Sequence, residues 1–217
     1  MRRCNKNELL EVSVFDVCGT LYRSNTTFDF IRYFRKGSLS LTFLDVKIVK
    51  IPLLLIGKVL GIDLYRLIFI RLLKGFSRLE LDNAAESFYD NFLSGKKINE
   101  VHFLLEDEKL SGKEIALCSA SLDLIISVIS RNLEVDNFYA TNLLFNDQDI
   151  CKGSISNDLL GRKDTIFSDT HELDLVATDN KSDKNIIMNA KRKYIVSTTK
   201  DVSFWLKNKL KVDLVVK

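Results

Sequence analysis

Residues 11–22 read Glu-Val-Ser-Val-Phe-Asp-Val-Cys-Gly-Thr-Leu-Tyr, and this stretch decides the fold. Val12, Val14 and Phe15 are apolar and β-prone, so the first half predicts a strand. Asp16 follows at once, and Cys18-Gly19-Thr20 predicts a sharp loop. Outward from here, short apolar runs at 114–119, 137–141, 174–178, 193–198 and 212–216 predict further strands. Helical patterns fall between several of them, at 98–110, 121–132, 163–169, 182–191 and 201–210. Strand and helix alternating at this spacing predict a parallel sheet covered by helices on both faces. One segment departs from the alternation: Asn142–Leu144 and Ile150–Ser156 flank Asn-Asp-Gln-Asp, which predicts a β-hairpin.

Residues 23–97 read as helical throughout. Because the first strand rejoins the later sheet, they form an insertion after strand one. The predicted fold class is α/β: a Rossmann-like parallel sheet with helices on both faces and an inserted helical cap. The core is 1–22 and 98–217, and the cap is 23–97.

Composition excludes several classes. Of 217 residues, 46% are hydrophobic, with only 9 Gly and 1 Pro, so the chain is neither disordered nor collagen-like. Basic and acidic residues nearly balance, 32 against 29, which argues against a nucleic-acid partner. Cys4, Cys18, Cys118 and Cys151 form no Cys-x-x-Cys knuckle, and His102 and His171 stand alone, so no structural zinc is expected. A chain this apolar needs no disulfide staples, which predicts a reducing cytosol. The start, Met-Arg-Arg-Cys-Asn-Lys-Asn, lacks the apolar run of a secretory or twin-arginine signal.

In a doubly wound sheet, ligands bind beyond the carboxyl ends of the strands. Asp16, Ser119 and Asp179 stand at such ends, Asp183 lies four residues further on, and Lys163 follows Gly161-Arg162. Each has an ordinary reading. Asp16 suits a turn, Ser119 a helix N-cap, Lys163 a solvated surface, and Asp179 and Asp183 a turn and a first helical turn. Their order along one predicted binding face carries the functional argument.

Asp16-x-x-Gly19-Thr20-Leu21, Ser119-Ala120-Ser121, Gly161-Arg162-Lys163 and Asp179-Asn180-x-x-Asp183 together resemble the four motifs of the haloacid dehalogenase superfamily. The helical insert after the first motif, and a hairpin carrying Gly153-Ser154-Ile155 ahead of the lysine, are most similar to its phosphoserine-phosphatase-like branch. The resemblance implies a hydrolase, a phosphatase that works through an aspartyl phosphate at Asp16. It implies Mg²⁺ held by Asp16, Asp179 and the backbone carbonyl of Cys18, with Asp183 orienting metal-bound water or Lys163. The catalytic set it implies is Asp16, Cys18, Thr20, Ser119 and Lys163, with Ser119 and Lys163 holding phosphoryl oxygens of a small phosphorylated substrate. Lys163 precedes Asp179 by sixteen positions, a short gap for the branch, and Lys181 and Lys184 are the alternatives.

One departure stands out. Phosphatases of this family carry a second Asp two residues after the nucleophile, as acid and then base, and here that position is Cys18. A thiol with an ordinary pKa near ~8.5 is a poor substitute. Weakened phosphatase turnover and a phospho-ligand-binding or regulatory protein both remain open.

Residues 39–75 are the most apolar part of the chain. Around Pro52 the uncharged stretch is only Ile51–Gly57, well short of the ~20 residues of a membrane span. Lys47, Lys50, Lys58, Arg66, Arg71 and Lys74 stand against Asp45 and Asp63, giving helices with a broad apolar side and a basic stripe. Two readings stay open: a cap packing over the site, or a face that meets an anionic membrane. The resemblance, whose branch includes enzymes that act on lipid phosphates, implies a lipid-phosphate phosphatase for the second. The corresponding locations are the cytoplasm or the inner membrane face.

Overall fold

The structure, a computed structural model, describes residues 10–135, 137–167 and 171–216. Seven strands form one sheet: β1 (Leu10–Phe15), β2 (Glu114–Leu122), β3 (Asn137–Phe145), β4 (Cys151–Asn157), β5 (His171–Thr178), β6 (Arg192–Thr198) and β7 (Leu214–Val216). Their order is β4-β3-β2-β1-β5-β6-β7, and every pair is parallel except β3–β4. β1 is central. The chain fills the sheet on one side of it through β2 and β3 and on the other through β5, β6 and β7. The strand order therefore reverses at β1, which puts Asp16 at the crevice where such sheets bind ligands.

The strands alternate as a sheet buried on both faces requires. Phe15, Leu117, Ala177 and Val196 join one apolar cluster, while Val12, Val14, Ala116, Cys118, Val176 and Ile195 join the other. A register shift against β1 near Asp174 flips β5 partway along. Leu173 and Val176 thereby face the same side although three residues apart.

Six helices lie between β1 and β2 in sequence, and the first five belong to the insert: α1 (Thr26–Phe34), α2 (Leu39–Asp45), α3 (Lys47–Leu60), α4 (Leu64–Arg71) and α5 (Arg78–Phe88). A π-turn, Tyr89–Leu93, and a 3₁₀ turn, Ser94–Lys96, follow. Local chemistry sets the boundaries. Asn25 caps α1, and Asp63 caps α4 by accepting from Arg66 N at 3.0 Å. Ser77 and Glu80 form a reciprocal capping box on α5. α3 ends at Gly61 with φ +68, the left-handed conformation that glycine adopts without penalty. The two chain crossings into the insert are tied together: Arg23 N donates to Lys96 O at 2.8 Å, and Ile98 N to Leu21 O at 2.9 Å.

Insert and sheet share one continuous apolar cluster. Phe30, Phe69, Leu81 and Phe88 from the insert pack with Leu117 from β2 and with Ile125 and Ile129 from α7 (Asp123–Asn132). α6 (Asn99–Leu110) covers the same sheet face through Val101 and Leu105. α8 (Lys184–Asn189), α9 (Val202–Lys207) with Trp205, and Phe167 cover the opposite face.

Several local expectations change. The predicted helix 163–169 is a short 3₁₀ turn at Lys163–Thr165, and 168–169 lie outside the described residues. Runs 137–141 and 142–144 are one strand, β3, which pairs β2 with its first half and β4 with its second. Ser119 does not cap a helix, because β2 continues to Leu122 and α7 starts at Asp123.

At the end of the sheet opposite Asp16, an ionic cluster joins β1, α6, β5 and β6. Arg192 donates to Glu108 at 2.8 Å and to Asp174 at 2.7 Å, and Ser13 donates to Glu108 at 2.7 Å. The hydrogen bond from Arg192, helped by Lys113, holds Asp174 below the usual carboxylate range. Burial would raise Glu108, but Arg192 and Ser13 outweigh it and hold it low as well. Carboxylates with lowered folded pKa contribute stability above their unfolded values and lose it as pH falls through the folded ones. Arg192→Met is therefore expected to lower stability at pH ~7 by about 1–3 kcal/mol. Denaturant melts should show the deficit shrinking as the pH is brought below ~4. A deficit independent of pH would show that the cluster is not ionised as described.

Candidate active site

Asp16 terminates β1, and its N–H donates to Ala177 O at 2.9 Å, so the two central strands hold it in place. Its Oδ1 accepts from Val17 N at 2.7 Å, and its Oδ2 is 2.7 Å from Lys163 Nζ. Lys163 also donates to Asp183 Oδ2 at 2.8 Å, and that oxygen accepts from Thr178 Oγ1 at 2.8 Å. All three charged groups are buried, each about 4% exposed. Burial alone would lower the Lys163 pKa, but Asp16 and Asp183 outweigh it and hold the ammonium well above an ordinary lysine. Burial pushes Asp16 up, Lys163 pulls it down and Asp183 pushes it up, leaving it above the usual carboxylate range.

The turn after Asp16 reaches across to β5. Thr20, fully buried, donates to Asp179 Oδ1 at 3.1 Å and accepts from Asp179 N at 2.9 Å. Gly19 has φ +70, and a Cβ on it would lie 2.1 Å from Asp179 Oδ2. Only glycine lets this turn pass over that carboxylate. Burial, and then the charge of Asp16, push Asp179 up to about 7.

These elements converge on a cavity of about 410 Å³. Asp16, Cys18, Ser119, Lys163 and Asp179 line its floor. Asn25, Phe28, Asp63 and Arg66 from the insert line its roof. Ser119 Oγ accepts from Ser121 N at 3.3 Å, which holds its hydroxyl beside the cavity. Of the alternative lysines, Lys181 pairs with Asp201 at the rim and Lys184 is exposed, whereas Lys163 touches Asp16 directly.

The donor set can be tested against a divalent cation. Three carboxylates, Asp16, Asp179 and Asp183, converge here, and Lys163 is the one cation that touches them among the described residues. Excess buried negative charge of this kind is what a hard cation relieves, and Mg²⁺ takes one or two carboxylates plus water and phosphate oxygens. Asp16 and Asp179 fit that description. The Asp183 Oδ2 is committed to Lys163 and Thr178, so its contacts are those of a residue that positions the lysine. No group of three or more His, Cys, Asp and Glu side chains among the described residues is arranged to enclose a metal by itself.

Three features of the site were not legible in the sequence. Cys18 Sγ sits in a polar cradle, 3.0 Å from Ser121 Oγ and 3.2 Å from Thr26 Oγ1, and accepts from Thr26 N at 3.4 Å. Burial, then the charge of Asp16, push its thiol up, so it stays neutral. Ser121 was visible only as a neighbour of Ser119, and Thr26 only as an unnamed part of the helical insert. Arg66, read from the sequence as part of a basic stripe, is buried. It spans the cavity from α4 to Asp158 at 2.9 Å, Ala120 O at 2.7 Å and Thr141 Oγ1 at 3.1 Å. The i+3 and i+4 pattern of α4 cannot reveal a partner 92 residues away.

A family model described as haloacid dehalogenase-like hydrolase matches residues 13–179. No curated protein matches the chain at the sequence level. Among solved structures, a protein of unknown function from Bordetella pertussis Tohama I is similar, with TM-score 0.63 and 13% identity over 97% of this chain and 99% of that one. A phospho-aspartyl intermediate analogue of phosphoserine phosphatase aligns with TM-score 0.61 and 16% identity, over 96% of this chain and 94% of that one. Cytosolic 5'-nucleotidase IIIB bound to cytidine aligns with TM-score 0.59 and 15% identity, over 95% and 79%. At these identities the likeness is one of fold.

The site's electrostatics make a test. Asp179 has a folded pKa of about 7 against an ordinary ~3.9, so the native state keeps a proton that the unfolded chain releases. The stability this contributes is complete below the unfolded value and is lost as pH rises through about 7. A cation bound to the ionised pair replaces it. Mg²⁺ is therefore expected to raise Tm clearly at pH ~8 and little at pH ~5. An equal shift at both pH values would mean the cation binds elsewhere.

Proposed function

The chain belongs to the haloacid dehalogenase-like hydrolase family, and on that premise we propose that it is a Mg²⁺-dependent phosphatase acting on a small phosphate monoester through an aspartyl phosphate at Asp16. The observation that carries this reading is the buried Lys163 Nζ, 2.7 Å from Asp16 and 2.8 Å from Asp183, at the floor of a cavity roofed by the insert. Residues 23–97 act as the cap that selects the substrate.

Asp16 attacks phosphorus with a carboxylate oxygen, the ester P–O bond breaks, and the leaving oxygen takes a proton from water to depart as the alcohol. Lys163 and the Ser119 hydroxyl hold the phosphoryl oxygens and balance their charge, which is most of what phosphoryl transfer requires. Asp183 and Thr178 keep Lys163 in place. Asp179, fixed by Thr20, would share Mg²⁺ with Asp16, and the cation would supply charge neutralisation on the phosphate. Water then cleaves the aspartyl phosphate and regenerates Asp16.

Proton transfer is the weak point. Cys18 stands where an acid and base is needed, and its pKa is raised. Its neutral thiol supports slow breakdown of the aspartyl phosphate. The same observation favours a second reading, a phospho-ligand-binding protein with little turnover.

Two measurements separate these readings. With an activated aryl phosphate and Mg²⁺, phosphate release is expected, and Asp16→Asn should abolish it; activity that survives that change would remove Asp16 as nucleophile. Cys18→Asp would place a carboxylate where two hydroxyls and the Thr26 N–H can orient it. It is expected to raise turnover by roughly 10²–10⁴-fold. It should also drain a phosphate adduct on Asp16 that accumulates in the natural protein, as read by mass spectrometry after acid quench. Unchanged turnover with no adduct in either protein would favour the binding reading.

A further inference from the structure

Twelve of the twenty exposed large apolar side chains among the described residues fall between Leu39 and Leu67. The rest are scattered singly, as on any soluble surface. α3 shows the concentration most clearly. Only Gly57 of its 14 residues is buried. Ile48, Pro52, Leu55 and Val59 recur at i, i+4, i+7 and i+11, one stripe along the helix. Ile48 is 83% and Val59 86% exposed. Ile51 and Ile56 flank the stripe, and Leu39 and Phe43 of α2 add to it. A contiguous apolar face of this kind marks an interaction surface.

The charges around the face are one-sided. Lys47, Lys58, Arg71 and Lys74 are exposed, and none has an acidic partner among the described residues. Lys47, Lys50 and Lys58 fall within roughly 80° of arc on α3, beside the apolar stripe, at ~100° per residue. The local acids are spent inside the fold: Asp45 binds Arg32 at 2.7 Å and Tyr65 at 3.0 Å, and Asp63 caps α4. An apolar stripe with an uncompensated lysine flank matches an anionic lipid surface. A second copy fits poorly, since a two-fold contact brings the same uncompensated cations together. No helix of the described residues is long and apolar enough to cross a membrane.

We propose that the α2–α3 face docks in the plane of an anionic phospholipid surface, and that the site takes a phosphate monoester carried on an amphiphile at that surface. The second part rests on the phosphoryl-transfer reading. It has its own geometric support. A cavity of about 310 Å³ lined by Lys50, Leu54 and Tyr65 shares Asn25, Phe28 and Asp63 with the cavity over Asp16. A phosphate at Asp16 can therefore extend its apolar remainder past Phe28 to Leu54 of α3, at the edge of the docking face.

The test is co-sedimentation of the full chain with phosphatidylcholine vesicles, with and without phosphatidylglycerol. Binding is expected only with the anionic lipid, and weaker at high salt. Lys47→Gln with Lys58→Gln should lower partitioning roughly 30-fold, about fivefold per lysine at such a surface. Ile48→Glu with Val59→Glu should abolish it without changing the circular dichroism or Tm, because both positions are exposed. Asp16→Asn should bind as the natural chain does, which separates docking from catalysis. Release of phosphate from a long-chain phosphate monoester in vesicles should exceed that from its short-chain soluble counterpart by at least ~10-fold, and the Ile48/Val59 variant should erase the difference. Failure to sediment at low ionic strength would overturn docking even if aryl phosphate is hydrolysed. So would a dimer in sedimentation velocity that Val59→Glu dissociates, which would place a second copy on the face. Docking with equal rates on the two substrates would overturn the amphiphile assignment alone.

Discussion

The ion pair between Lys163 and Asp16 is the constraint around which the site is organised. Lys163 comes from a short turn after the β3–β4 hairpin, and Asp16 from the end of the central strand. Two buried groups of opposite charge at 2.7 Å are stable only where further partners share the desolvation cost. Asp183 and Thr178 are those partners, and both come from β5 and the turn that follows it. The contact thus requires β1 and β5 to be adjacent, which the strand order provides. It also leaves more carboxylate than ammonium in the cavity, and that imbalance is what the proposed Mg²⁺ site rests on.

The insert is bound to this arrangement physically as well as in sequence. Its helices bury Phe30, Phe69 and Phe88 in the same cluster as strand β2 and helix α7. Its two crossings are hydrogen-bonded to each other, and Arg66 reaches from α4 to the far hairpin through Asp158. Gly153, with φ +66, lets that hairpin approach the end of α4, where a Cβ would lie 2.8 Å from Lys74. The roof of the cavity is therefore held by packing and by a partly buried ion pair. The outer helices α2 and α3 differ in kind, because their apolar side chains are left largely to solvent. A folding chain has little reason to retain so much unburied apolar surface. The proposed lipid docking would supply one.

Much of the architecture was legible in the sequence because its signals are local and periodic. Alternation around Val12, Val14 and Phe15, the apolar run before Ser119, and the Asn-Asp-Gln-Asp turn of the hairpin each act within a few positions. Asp16, Ser119 and Asp179 could be assigned to one face because parallel strands present their carboxyl ends on the same side. The features that misled were the ones where periodicity carries no partner. Arg66 falls in a basic stripe by count, yet its guanidinium is buried against Asp158 and Thr141. The run at 163–169 has a helical composition, yet opens with a 3₁₀ turn because Lys163 is drawn inward to Asp16.

What the sequence by itself determined, then, is the order of strands and helices, the insertion after β1 and the set of polar residues at strand ends. Each depends on side-chain spacing and backbone preference over one or two turns. Only the tertiary structure decided which lysine meets Asp16, that burial and the charge of Asp16 keep Cys18 neutral beside Thr26 and Ser121, that β5 shifts register at Asp174, and that α3 keeps its apolar side exposed. Those outcomes depend on burial and on contacts between residues tens to more than a hundred positions apart, such as Cys18 with Ser121, 103 residues on. Desolvation sets their energies, and desolvation exists only once the chain has closed around them.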